Sequence, residues 1–276
     1  MRILASCFLI LTGMQAALAD PDLTGIVDDH VLPRYADLAV QAEHLADAAD
    51  ASCDPADASL RAAYHAAFDA WVGVSHMRFG PSEAQDRAFA LAYWPDSRGA
   101  TPKALSALLR DEDPVIDTLE GFQTVSIAAR GFYALEFLLF DPAYAPGTAY
   151  SCALIRMVTD DIADLSGDIR ADWDQTYATL MRDAGSNDTY RSQEEVARLF
   201  FTALSTALEF TSDVRLGRPL GSYDRPRPKR AEARRSDRSL RHVILSLQAT
   251  RDLATRLSPD DAKLDALFAQ ALLSEG

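Results

Sequence analysis

The sequence predicts an all-α protein, and three observations carry that expectation. Apolar residues recur at three- and four-residue spacing along most of the chain, the two-residue alternation of strands is nearly absent, and capping and proline signals punctuate the apolar runs.

The first amphipathic helix is drawn by Leu23, Ile26, Val27, Val31, Leu38, Ala42 and Leu45, with Pro33 marking a bend near its start. Asp54-Pro55 offers an N-cap and a proline at the first helical position, opening a second helix that runs toward Arg78. A long loop follows, holding Phe79-Gly80-Pro81 and Trp94-Pro95-Asp96-Ser97-Arg98-Gly99, with helical turns around residues 82–91 and 102–109. Residues 125–140 read as a helix that stops before Asp141-Pro142. After the Tyr144 to Thr148 turn, helices are expected at residues 152–181, 192–215 and 231–257, and again after Ser258-Pro259 as far as Leu273. Residues 216–228, with two glycines and three prolines, form a crossing loop. The break at the turn divides the chain into halves, 20–145 and 146–276.

Met1-Arg2, the apolar run from Ile3 to Leu18 and Ala17-Leu18-Ala19 read as an export signal over residues 1–19, with the mature chain starting at Asp20. No later stretch approaches the roughly 18 to 20 apolar residues of a membrane span, so the expectation is an exported protein, periplasmic in a host with two membranes. Of three cysteines, Cys7 leaves with the signal, and Cys53 and Cys152 are then expected to pair in an oxidising compartment. Both lie at element ends, where a bridge distorts no helix; two buried thiols are the alternative.

A net charge of -14 argues against nucleic acid as a partner. The charge is uneven: from Arg215 to Arg241 there are ten basic residues against Asp224, Glu232 and Asp237. Pairing of this stretch with the acidic remainder, or a solvated face, is the expectation, and an anion site is the alternative.

Glu136 is the sharpest single feature. Its helical neighbours are Phe132, Tyr133, Leu139 and Phe140, so its carboxylate has no Lys or Arg at three- or four-residue spacing and is expected to be buried. A buried carboxylate must pair with a distant cation, accept hydrogen bonds, bind a metal or protonate. Arg78, Arg98 and Arg130 are the candidate partners, and a structural ion pair between helices explains the pattern as well as a site does. Asp96 and Arg98 flank Ser97 in a loop anchored by Trp94-Pro95. Ser97 has no G-x-S-x-G context and no evident base, which excludes a serine hydrolase of that type. No H-E-x-x-H pattern is present. His65, Asp69 and His76 fall within about 40° on an ideal helix and could hold a metal, but Gly73 and Ser75 threaten the helix before His76, and a polar or packing role is the simpler reading.

Gly131-Phe132-Tyr133-Ala134-Leu135-Glu136 resembles the G-x-H-x-x-E signature of the imelysin-like proteins, the M75 peptidase family, with Tyr133 in place of His. Arg78-Phe79-Gly80-Pro81, Tyr93 to Gly99, Pro219-Leu220-Gly221 and Arg225-Pro226-Arg227-Pro228 resemble further landmarks of that family, in family order, over a domain of about residues 27–257. The resemblance implies two packed helical bundles and a binding or accessory part, without catalysis, in the uptake of iron or another metal, with metal-uptake components as partners. A metal-dependent peptidase and a structural protein-interaction module are its alternatives. In the family motif His and Glu are the natural ligand pair. Here Tyr133 and Glu136 would suit ferric iron better than a divalent ion, and a Tyr133 hydroxyl bonded to Glu136 or to a neighbouring helix is the cheaper explanation.

Overall fold

A computed structural model describes residues 21–258. The expected export signal and the expected helix from residue 259 to Leu273 lie outside them. Among the described residues the secondary structure is helical, and the sole β feature is an isolated bridge between Ser222 and Arg225. Within the described residues, seven helices of ten residues or more set the frame: α1 (Leu32–Ala51), α2 (Ala58–Val74), α3 (Ala100–Asp111), α4 (Gly131–Phe140), α5 (Ala149–Asp172), α6 (Gln193–Glu209) and α7 (Ser239–Leu257).

The bend expected at Pro33 takes the form of a π-helical turn, Val27–Val31, between a short helical turn at Leu23–Ile26 and α1. Proline supplies no N–H to the preceding turn, and a widened turn absorbs the missing bond. α2 begins three residues later than the Asp54-Pro55 signal suggests. Asp57 is the working cap, accepting from the N–H groups of Ser59 and Leu60, while Asp54 closes its own small turn onto the N–H of Ala56 at 2.8 Å. α5 is capped by Thr148, whose hydroxyl accepts from the Ser151 N–H at 3.1 Å.

α1 packs along α2 and α5, and α4 lies against α5. α6 packs on α7, which in turn lies along α2. The helices thus form two bundles that meet over one continuous core, reaching from Leu23 to Leu257. α5 follows the turn at residues 144–149 and returns to α1, so the core crosses that turn without a break. Tyr35, Phe68, Phe122, Phe132, Trp173 and Phe200 are fully buried in it, and side chains of this size contribute roughly 1.5 to 3 kcal/mol each when withdrawn from water. The expected disulfide is present: Cys53, just beyond α1, is bonded to Cys152 in the first turn of α5. No helix among the described residues is long and apolar enough to cross a membrane.

Candidate functional site

α4 starts at Gly131 rather than near residue 125, because the chain turns there with φ +71°, a conformation L side chains rarely adopt. A Cβ at this position would stand 2.2 Å from the carbonyl oxygens of both Ala90 and Leu91. Only glycine lets the helix start against that strand of backbone, and the start fixes where Tyr133 and Glu136 emerge.

Glu136 is buried, 3% exposed, as its neighbours predict. Its partner is not Arg78, Arg98 or Arg130. Arg78 forks onto Glu83 with a shortest contact of 2.5 Å and lies over Phe89, the Arg98 side chain is exposed, and Arg130 grips the buried Asp161 at 2.9 and 2.6 Å. The Oε1 atom of Glu136 accepts instead from the backbone N–H groups of Arg235 and Ser236, both at 3.0 Å, and from the Ser236 hydroxyl at 2.9 Å. Burial dominates all the same, and holds the carboxyl above the usual range although these donors pull it down. To present those donors, residues 231–238 stay out of helix: Ala233 and Asp237 take φ +44° and +56°, and α7 begins only at Ser239 instead of Ala231.

Tyr133 engages the same turn from its other side. Its hydroxyl donates to Oε1 of Glu232, not to Glu136. Glu232 is 2% exposed and would be driven up by burial. The Arg215 guanidinium, with Nε 2.6 Å from Oε2, overrides that and holds the carboxylate well below its ordinary range. Burial and the Glu232 charge together raise the Tyr133 phenol far above 10. Arg215 also donates to the Ser246 hydroxyl at 3.1 Å, which meets Thr211 at 2.9 Å. His242 Nδ1 stands 3.6 Å from Glu232, too far for a hydrogen bond.

Two cavities flank this network. One, about 440 Å³, is walled by Tyr93–Gly99 on one side and by cations of the 218–235 stretch on the other, with Tyr133, Glu136 and Phe137 between them. The second, about 370 Å³, is lined mainly by Trp71, Phe89, Phe210 and His76, with Arg215 and Glu232 at its polar end. Trp94, Pro95 and Tyr133 belong to both, so the Trp94 and Tyr133 rings, stacked with centroids 6.1 Å apart, form the partition.

The second cavity meets a relay of two buried histidines and a half-exposed aspartate. Asp252 Oδ2 accepts from His30 Nδ1 at 2.7 Å, and His30 Nε2 lies 2.8 Å from His76 Nε2. With the first bond fixing the His30 proton on Nδ1, His76 must donate from Nε2, which leaves its Nδ1 as a bare lone pair with no partner among the described residues. Burial pushes both imidazoles down, His76 the further.

The remaining candidates disperse. Asp96 is spent on backbone, accepting from the N–H groups of Arg98, Ala100 and Thr101 at 3.3, 2.9 and 2.9 Å ahead of α3. The His65, Asp69, His76 stripe does not gather, because α2 ends at Val74: Asp69 pairs with Arg238 and Arg241, His65 sits against Phe140, and His76 turns to His30. Tyr133 and Glu136 do not fit a shared metal ion, since the phenol is directed to Glu232 and one Glu136 oxygen to three donors. Among the described residues no three His, Cys, Asp or Glu side chains converge as a metal would require. His30, Arg215, Glu232, Ser236 and Asp252 escape a sequence reading. The one hint for Arg215 and Glu232 is opposite charge within a single basic stretch.

A family profile described as imelysin, peptidase M75, matches residues 31–274. The chain is 26% identical over 231 residues to Iron-regulated protein A of Synechococcus elongatus, across 80% of this chain and 60% of that one. It therefore spans about 60% of that relative's length. An imelysin-like protein from Psychrobacter arcticum superposes with TM-score 0.69 at 22% identity, covering 90% of this chain and 78% of its own. A structure assigned as an iron-regulated protein A precursor, from Parabacteroides distasonis, gives 0.70 at 16% identity over 89% and 82%.

Proposed function

The chain belongs to the imelysin family, and on that premise we propose that it is an exported binding or accessory component of iron uptake rather than a peptidase. Export is supported by the A-x-A pattern before Asp20 and by the precursor description of one structural relative. The tie to iron is supported by the name of the Synechococcus relative.

The observation that carries the binding reading is the fate of the motif pair. Tyr133 and Glu136 clamp the 232–236 turn from two sides, and so the motif builds the partition between two cavities instead of offering a reactive group. A hydrolase needs a base within reach of a water or a nucleophile. The carboxylates nearest the cavities, Asp96, Glu136 and Glu232, are each engaged by donors of the chain itself, and the unpartnered Nδ1 of His76 is shielded from solvent.

The test is twofold and uses purified protein beginning at Asp20. Equilibrium dialysis against iron supplied with a small organic chelator should leave iron on the protein. Incubation with a fluorogenic peptide library should give no cleavage. Turnover of any library peptide that is abolished by removing metal would replace this reading with that of a metal-dependent peptidase.

A further inference from the structure

Resting on the binding role just proposed, we infer that the 440 Å³ cavity takes a small polycarboxylate anion, and that iron would enter it already chelated. The argument starts with the ten cations between Arg215 and Arg241. Four of them are neutralised: Arg215 by Glu232, Arg235 by Asp141, and Arg238 and Arg241 by Asp69. Four others, Arg218, Lys229, Arg230 and Arg234, line the cavity and have no acid partner among the described residues. The acidic side chains among the described residues thus do not absorb them, although the net charge of -14 provides ample carboxylate.

Two carboxylates share the cavity wall, and both are already occupied. Asp96 is turned onto three backbone N–H groups, and Glu136 accepts three donors from Arg235 and Ser236. The cavity therefore presents more unpaired positive charge than negative. A second observation concerns Arg218, which is half-buried: its Nε is shielded from solvent and has no hydrogen-bond partner among the described residues. Guanidinium forks match carboxylates in pairs, so several around one cavity favour a ligand with two or three such groups over a single charge. Trp94, Tyr133 and Phe137 give the carbon skeleton apolar walls, and the volume suits a small molecule.

The same field disfavours a bare metal cation. A chelate in which carboxylates outnumber the metal charge keeps a negative surface, and that surface is what the cations recognise.

The experiment is calorimetric titration of the chain from Asp20 with citrate, ferric citrate and pyrophosphate, with Trp fluorescence as a parallel readout. Citrate and ferric citrate should both bind. The double variant Arg218→Gln with Arg230→Gln should weaken each at least ~10-fold, as loss of two charge-assisted contacts requires. Arg225→Gln with Arg227→Gln removes the same charge outside the cavity lining and should change affinity by no more than about twofold. Circular dichroism checks that both variants fold, and Arg230→Gln with Arg234→Gln, on exposed side chains, gives the same test if Arg218 proves necessary for folding.

Absence of citrate binding overturns the inference, as does binding of pyrophosphate alone or an equal loss in the Arg225, Arg227 pair. Equal binding of citrate with and without iron leaves the anion site standing and removes the support for an iron role. Retention of iron without any anion does the reverse.

Discussion

Glu136 shows how a residue can be placed correctly by sequence while its partner is not. Its burial follows from Phe132, Tyr133, Leu139 and Phe140, which any helical reading exposes. Its donors are two backbone N–H groups and a serine about a hundred residues away in sequence, and backbone donors have no letter that marks them. A search for arginines could only find the wrong ones. The consequence is testable by denaturation: Glu136→Gln puts an amide against two N–H groups and should cost about 1 to 3 kcal/mol. Combining it with Arg78→Met or Arg98→Met should give additive losses, because neither side chain touches it. Recovery of stability in either double variant would restore the ion pair to the account.

At the scale of elements, the helices were legible wherever periodicity and caps spoke, and illegible where tertiary contacts decided the ends. Residues 125–130 and 231–238 carry helical composition but do not join α4 and α7: the first keeps only a single 3-10 turn, Ile127–Ala129, because Gly131 turns the chain against the Ala90 and Leu91 carbonyls, and the second turns its N–H groups onto the Glu136 carboxylate. Gly131→Ala should accordingly be among the most damaging single substitutions in the chain. With φ +71° and two carbonyl oxygens at 2.2 Å, something must shift, and a loss above about 4 kcal/mol is expected, seen as failure to fold or a large fall in the thermal midpoint. The disulfide was legible because, with Cys7 assigned to the expected export signal, two cysteines leave a single pairing. It spans 99 residues of sequence, for which loop entropy gives about 4 to 5 kcal/mol. Adding reductant should lower the denaturation midpoint of the wild type but leave that of Cys53→Ser with Cys152→Ser unchanged.

For the whole molecule, two of the stretches that marked the family in sequence, Tyr93–Gly99 and Gly131–Glu136, converge on one cleft, although nothing in their spacing shows that they meet; the landmarks at residues 219–221 and 225–228 lie outside its lining, which takes Arg218 and Lys229 on either side of them. The second cavity and its Asp252, His30, His76 relay were invisible, since His30 and Asp252 are more than two hundred residues apart. The relay, together with His65, which burial also holds low, contributes to the acid response. His30 and His76 titrate below 6.5 in the fold, so as pH falls through 6.5 the unfolded chain takes up protons that the native chain does not, and stability drops until the folded values are reached. Asp252 and Glu232, held low, extend the loss below about pH 4. Glu136, held high, acts in the opposite sense, adding stability under acid that is lost as pH rises through its folded value. Between pH 7.5 and 5.5 the net should be a fall in the thermal midpoint, and His76→Gln, which keeps a hydrogen bond but cannot titrate, should show a shallower fall than the wild type.

The claim that the cleft beside Tyr133 is where this protein takes its ligand is tested most directly by hydrogen–deuterium exchange with and without ferric citrate. The account predicts slowed exchange at residues 93–99 and 218–236, the two walls of that cleft, with residues around His30 and His76 unchanged. Protection confined to the His30, His76 region, or none in either wall at saturating ligand, would contradict it.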